Sequence, residues 1–161
     1  HIIRSVVPTR EVGFLPGTAE EKLLPFITPY IAICDDLFDQ GGAYTSLVEQ
    51  KIVEFHSTSF IRGTTFDNAI IIVDEMQNLT FHELDSVVTR VGLDSRIMFA
   101  GDYYQSDFVK QGDKNGINEF IKIIEVMKDF SIVEFGWQDI IRSDFVRDYI
   151  MTKEMFLKEK K

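Results

Sequence analysis

The chain has 161 residues, 45% of them hydrophobic, enough to bury one sizeable core, and its length points to a single domain. A formal net charge of -9 argues against a protein that grips nucleic acid through general basicity, a mode that needs clustered Lys and Arg facing phosphates, and leaves room only for local basic strips. One cysteine, Cys34, excludes an internal disulfide and a multi-cysteine zinc cluster, and it favours a reducing compartment with a buried, inert thiol.

The first element is a β-branched strand over roughly Ile2 to Val7. The chain opens in it without an initiating methionine, so it reads as the C-terminal portion of a longer domain, with His1 either an internal residue or a tag remnant. "PTREVGFLPG" follows as a shaped loop rich in Pro and Gly. After Thr18, "AEEKLLPFITPYIAICDDLF" has early acids and helical apolar spacing, with Pro25 and Pro29 expected to break or kink the helix. "DQGGAY" is expected to close that region as a turn. "KIVEFHS" alternates and predicts a short strand, and Ala69 to Val73 predicts a central parallel strand covered on both faces. Thr80 and Glu83 form a capping-box pattern that starts a helix running to about Val91. "RIMFAGD" is a further buried strand, "GINEFIKIIEVMKD" an amphipathic helix, "SIVEF" a strand and "SDFVRDYIMTKEMFLKEKK" a closing helix. This alternation predicts an α/β fold with a mostly parallel sheet. Every apolar run is far shorter than the roughly 20 residues that cross a bilayer, and the N-terminus lacks signal-peptide order, so the expected protein is cytoplasmic and makes no membrane contact.

The stretch "NAIIIVDEMQN" carries the strongest chemical signal, because an apolar strand runs straight into Asp74 and Glu75. Ligands of open parallel sheets bind at the carboxyl ends of the strands, which puts both acids where a site is expected. This is the Walker B pattern: Asp74 would hold magnesium through its water, and Glu75 would orient or deprotonate the attacking water. Read blandly, the pair only starts a solvated turn. A second strand end, "FAGDYYQSD", resembles the Gly-Asp-x-x-Gln motif of superfamily one helicases, with Gln105 in the place of the phosphate-sensing amide.

Taken in order, "GFLPG", "RGTTFDNAIIIVDEMQN", "VTRVG", "GDYYQSD" and "DIIRSDFV" resemble the PhoH-like ATPases across nearly the whole chain. The resemblance implies a RecA-like core of P-loop NTPase type, related to superfamily one helicases, that binds and hydrolyses ATP with Mg2+. By position it implies that Asp74 and Glu75 are the Walker B acids, Gln77 a site-lining amide, and Gly101, Asp102 and Gln105 the phosphate-sensing turn. Arg62 and Arg142 match arginines of the family pattern, and Arg142 is favoured as the guanidinium that stabilises developing charge. Kinship further suggests RNA or single-stranded nucleic acid as a partner and a homo-oligomeric ring.

Two departures stand out. Met76 replaces the alanine of the family's usual Asp-Glu-Ala-Gln-Asn, and no Gly-x-x-x-x-Gly-Lys-[Ser/Thr] occurs in the chain. "GFLPG" and "QGDKNG" lack the Lys-Ser/Thr ending that a phosphate cradle needs. The family places that loop upstream of the stretch matching "RSVVPTR", so this chain is expected to hold the acids and sensors without the cradle and to be weak or inactive alone.

Two other functions compete. A metal-dependent nuclease would need Asp35, Asp36, Asp74, Glu75 and Asp102 to converge, although Asp35 and Asp36 are expected to face solvent on the first helix. A non-catalytic single-strand-binding module would stack bases on Tyr103, Tyr104, Phe108 and Trp137. His56 and His82 show no metal-ligand spacing and are read as exposed polar residues.

Overall fold

The structure is a computed structural model that describes residues 1–6, 19–102 and 111–159. Its sheet is built from four short, apolar, β-branched or aromatic segments: β1 (Ile2–Arg4), β2 (Phe55–Ser57), β3 (Ile70–Val73) and β4 (Arg96–Phe99). All pairings are parallel, in the order β2-β1-β3-β4. Parallel neighbours require crossovers, and the helices α1 (Ala19–Leu37), α2 (Ala43–Glu49), α3 (Phe81–Val88) and α4 (Gln111–Val126) alternate with the strands accordingly. The fold is α/β, as the sequence predicts, and consistent with a RecA-like P-loop NTPase.

Register decides which side chains share a face. Ile3 lies opposite His56 and Val73, and Val73 lies opposite Phe99. Ile3, Ile71 and Val73 on this face are fully buried, as are Leu84 and Val87 of α3. The ring of Phe120 on α4 meets Phe99 edge-on at 5.0 Å. On the other face α1 sits by β1 and β2: Tyr30 packs 5.8 Å from Phe55, and the Arg4 guanidinium lies 6.0 Å from the Phe26 ring. On that face Ile70 is 59% exposed and Ile72 37% exposed. The expectation that β3 is covered on both faces is therefore corrected: its buried residues alternate.

Several local expectations also change. Helix α1 runs continuously through Pro25 and Pro29, which both lie on its exposed side. The turn "DQGGAY" leads directly into α2, whose first amide, Ala43 N–H, donates to Asp35 Oδ1 at 2.8 Å. Asp35 is thus tied into the turn rather than free in solvent. Cys34 is half-buried rather than buried.

The residues divide into two compact units, His1–Lys122 and Ile123–Lys161. The second contains the end of α4, a 3-10 turn at Trp137–Asp139 and α5 (Asp144–Glu159), with Trp137 Nε1 donating to Glu154 Oε2 at 2.6 Å. "SIVEF", expected as a strand, is irregular, and Val133 and Phe135 are exposed. A strand forms only where its backbone groups find a partner edge, and among the described residues none pairs with this segment.

Candidate functional site

The backbone leaves the sheet abruptly after β3. Asp74 N–H still donates to Ile3 O at 3.0 Å, as the last ladder bond, whereas Glu75 adopts a left-handed conformation with φ 53 and ψ 43. Such a conformation costs a side-chain-bearing residue about 1–2 kcal/mol and persists only where surrounding contacts hold it. Here they do. Met76 N–H donates to Ala100 O at 2.9 Å, and a 3-10 turn at Met76–Asn78 follows at once. The left-handed residue ends the strand's alternation, so that Asp74 and Glu75 both project at the rim of the sheet.

Each acid has its own set of partners. Tyr30 on α1 donates its hydroxyl to Asp74 Oδ2 at 2.5 Å, across 44 residues of sequence. Burial, and then the bond to Asp74, push the Tyr30 phenol well above its usual range, so it stays a donor at any ordinary pH. Glu75 Oε1 lies 3.8 Å from Arg4 Nη2, and Glu75 Oε2 accepts from Gln77 Nε2 at 2.5 Å. The Arg4 pair is partly exposed and contributes about 0–1 kcal/mol to stability, so its role is chiefly orientation.

Gln77 joins the two strand ends. It is only 6% exposed, and while its amide nitrogen holds Glu75, its Oε1 accepts the Asp102 backbone N–H at 3.1 Å. Gly101 makes this approach feasible: a Cβ there would lie 2.5 Å from Gln77 Oε1, 2.6 Å from Met76 Cγ and 3.1 Å from Met76 N. A Gly101→Ala variant is expected to lose about 1–3 kcal/mol of stability and to part Gln77 from the Asp102 amide, which denaturant melts would read.

Glu83 is a second hub, and the sequence gives only its capping role. The box is present, with Thr80 Oγ1 accepting from Glu83 N–H while Thr80 N–H donates to Glu83 Oε2 at 2.8 Å. Beyond it, Glu83 Oε1 accepts from Thr58 Oγ1 at 2.6 Å and from Ser5 Oγ at 3.3 Å, tying α3 to the segments that follow β1 and β2. Burial alone would raise this carboxyl's pKa, but the bonds from Thr58, from the Thr80 amide and hydroxyl, and from Ser5 outweigh it and hold the group below its usual range. A cavity of about 230 Å³ beside it is lined by Thr58, Ser59, Arg62 and Glu83.

The structure brings Asp74, Glu75, Gln77, Gly101 and Asp102 to the neighbouring ends of β3 and β4, where Gln77 bonds both Glu75 and the Asp102 amide, and it adds Tyr30 on Asp74 and Arg4 beside Glu75, which no local signal marks. Arg62 sits with Glu83 instead. Arg142 precedes α5 in the second unit, and Gln105, Tyr103, Tyr104 and Phe108 lie outside the described residues. Asp35, occupied by the α2 turn, is not offered to a nuclease-like acid cluster. His82 is exposed on α3, as expected. His56 corrects its expectation: it is half-buried, and with Glu54 and His1 it forms a group of potential metal ligands at the amino ends of β1 and β2.

Comparison with known proteins shows the family. The family model described as "PhoH-like protein" matches residues 2–154. A "PhoH-like protein" of Bacillus subtilis (strain 168) is 32% identical over 157 residues, covering 92% of this chain and 48% of that protein. "Protein PhoH" of Escherichia coli (strain K12) is 34% identical over 137 residues, 83% of this chain and 38% of that protein. A "PhoH-like protein" of Mycobacterium leprae (strain TN) is 30% identical over 139 residues, 86% of this chain and 39% of that protein. The chain spans less than half the length of these relatives. With a family model matching almost its entire length, the chain belongs to the PhoH-like protein family.

Proposed function

We propose that this chain supplies the acid and phosphate-sensing part of a magnesium-dependent ATP-hydrolysing site. The observation that carries the reading is the brace between strand ends, in which Gln77 holds the Glu75 carboxylate with one atom and the Asp102 amide with another. A turn that merely capped β3 in solvent would have no use for a buried amide spanning to the next strand.

The donor set suits magnesium, a hard cation that takes carboxylate and water oxygens. Asp74, oriented by Tyr30, would hold it. Bound magnesium would screen the charge of the terminal phosphates. Glu75, held by Gln77 and facing Arg4, orients the attacking water and takes its proton. Gln105 and Arg142 enter as phosphate sensor and charge-stabilising guanidinium through their positions in the family pattern. The chain has no Gly-x-x-x-x-Gly-Lys-[Ser/Thr], so the phosphate cradle in this reading comes from residues outside it. Hydrolysis would act on RNA or single-stranded nucleic acid within a homo-oligomeric ring, both by kinship, and in the cytoplasm, as the lone cysteine and the short apolar runs suggest.

Calorimetry with Mg-ATP tests the division of labour. The 161-residue chain is expected to bind weakly, and the same chain joined to the upstream segment of a relative is expected to bind in the micromolar range. Micromolar binding by the short chain, or none by the extended one, would overturn the assignment.

A further inference from the structure

At the end of the sheet opposite the acid pair, three metal-ligating side chains converge. His1 immediately precedes β1, and Glu54 and His56 flank Phe55 on β2, so that strand alternation turns both toward the same face. The register Ile2↔Phe55 and Ile3↔His56 then brings His1 alongside Glu54 on that face. Their donor atoms form a triangle: His1 Nδ1 to His56 Nε2 is 2.9 Å, His56 Nε2 to Glu54 Oε2 is 3.5 Å, and His1 Nδ1 to Glu54 Oε2 is 3.7 Å.

We propose that His1, Glu54 and His56 form a zinc-binding site that clips edge strand β2 to β1, a site independent of the nucleotide chemistry. Two imidazoles and a carboxylate are an ordinary zinc ligand set. Zinc–nitrogen and zinc–oxygen distances of about 2.0–2.1 Å at tetrahedral angles place neighbouring donors about 3.3 Å apart, and the three edges of the triangle bracket that value. The donors need move by only a few tenths of an ångström to close on one ion.

The surroundings suit a pre-formed site. The buried ring of Phe66 lies 4.5 Å from the His1 ring and 5.3 Å from the His56 ring, walling the pair on one side. The backbone nitrogen of His1 is engaged elsewhere, donating to Ile70 O at 2.7 Å, so the rings and the carboxylate are the groups presented. Without metal, one imidazole N–H is shared between the two rings. On binding, that proton moves to the same ring's other nitrogen, both rings ligate as neutral imidazoles, and water completes the fourth position. The benefit falls on β2, a three-residue strand at the edge of the sheet among the described residues.

The test is calorimetric titration of the chain with ZnCl2, repeated with Co2+, whose intense visible absorption reports four-coordinate geometry. One zinc per chain is expected, with a rise in the thermal midpoint and a tetrahedral cobalt spectrum. His56→Gln and Glu54→Gln should each weaken binding by more than about tenfold, since even outer-shell partners of zinc ligands contribute that much. Glu54 is partly exposed, so its substitution leaves folding intact, which circular dichroism would verify. No saturable uptake would overturn the proposal. So would uptake unchanged in both variants, which would place the metal away from Glu54 and His56.

Discussion

Replacing Glu75 with glutamine is expected to slow phosphate release from Mg-ATP by about 10²–10⁴-fold in a protein that carries both this chain and a phosphate cradle. The substitution keeps the shape of the side chain, and its amide oxygen still accepts from Gln77 Nε2, so the brace to Asp102 survives. What disappears is the base. A neutral amide cannot take a proton from the attacking water, and the 3.8 Å pair with Arg4 loses its charge. The loss should fall on kcat, with ATP affinity unchanged or slightly tighter, because one negative charge near the phosphates is gone. Fluorescent-nucleotide binding measured beside turnover separates the two effects, and a Glu75→Gln protein that turns over normally would remove Glu75 from the mechanism.

The largest stability effect is expected at Glu83. Truncation to alanine removes four hydrogen bonds to one carboxylate and leaves Thr58, only 6% exposed, without its acceptor. A lost cap and lost bonds to a charged group together amount to about 3 kcal/mol. The pH dependence has a definite sign. Because the folded-state pKa lies below the usual 4.5, the contribution is fully present above pH 4.5 and is lost as the pH falls through the lower folded value. Glu83→Gln should therefore flatten the acid side of the stability curve. Urea melts at several pH values would check this, and parallel curves for the two proteins would contradict it.

What could be read from the sequence were the features whose cause is local. The apolar run into Asp74 and Glu75, the Thr80–Glu83 box and the strand that ends just before Gly101 each depend on residues a few positions apart, and each is where the sequence places it. The hidden features are those that depend on strand register. Tyr30 reaches Asp74 only because α1 crosses β1 beside β3, and His1 meets His56 only because β1 pairs with β2. Glu83 shows as a cap in one dimension and as a junction of three segments in three. Helix α2 was hidden for a related reason: its first residue follows Gly42 at φ 81, and its capping acceptor is Asp35, eight residues earlier, where no N-cap pattern looks. "SIVEF" fails in the opposite sense, since it has strand composition but pairs with no strand among the described residues.

The most direct measurement of the central claim is phosphate release from Mg-ATP by three proteins side by side: the 161-residue chain, the chain extended by a relative's upstream segment, and that extended protein carrying Glu75→Gln. Hydrolysis by the extended protein alone, silenced by Glu75→Gln, is the predicted result. Glu75-dependent hydrolysis by the short chain would contradict it, and would mean that residues within this sequence hold the phosphates.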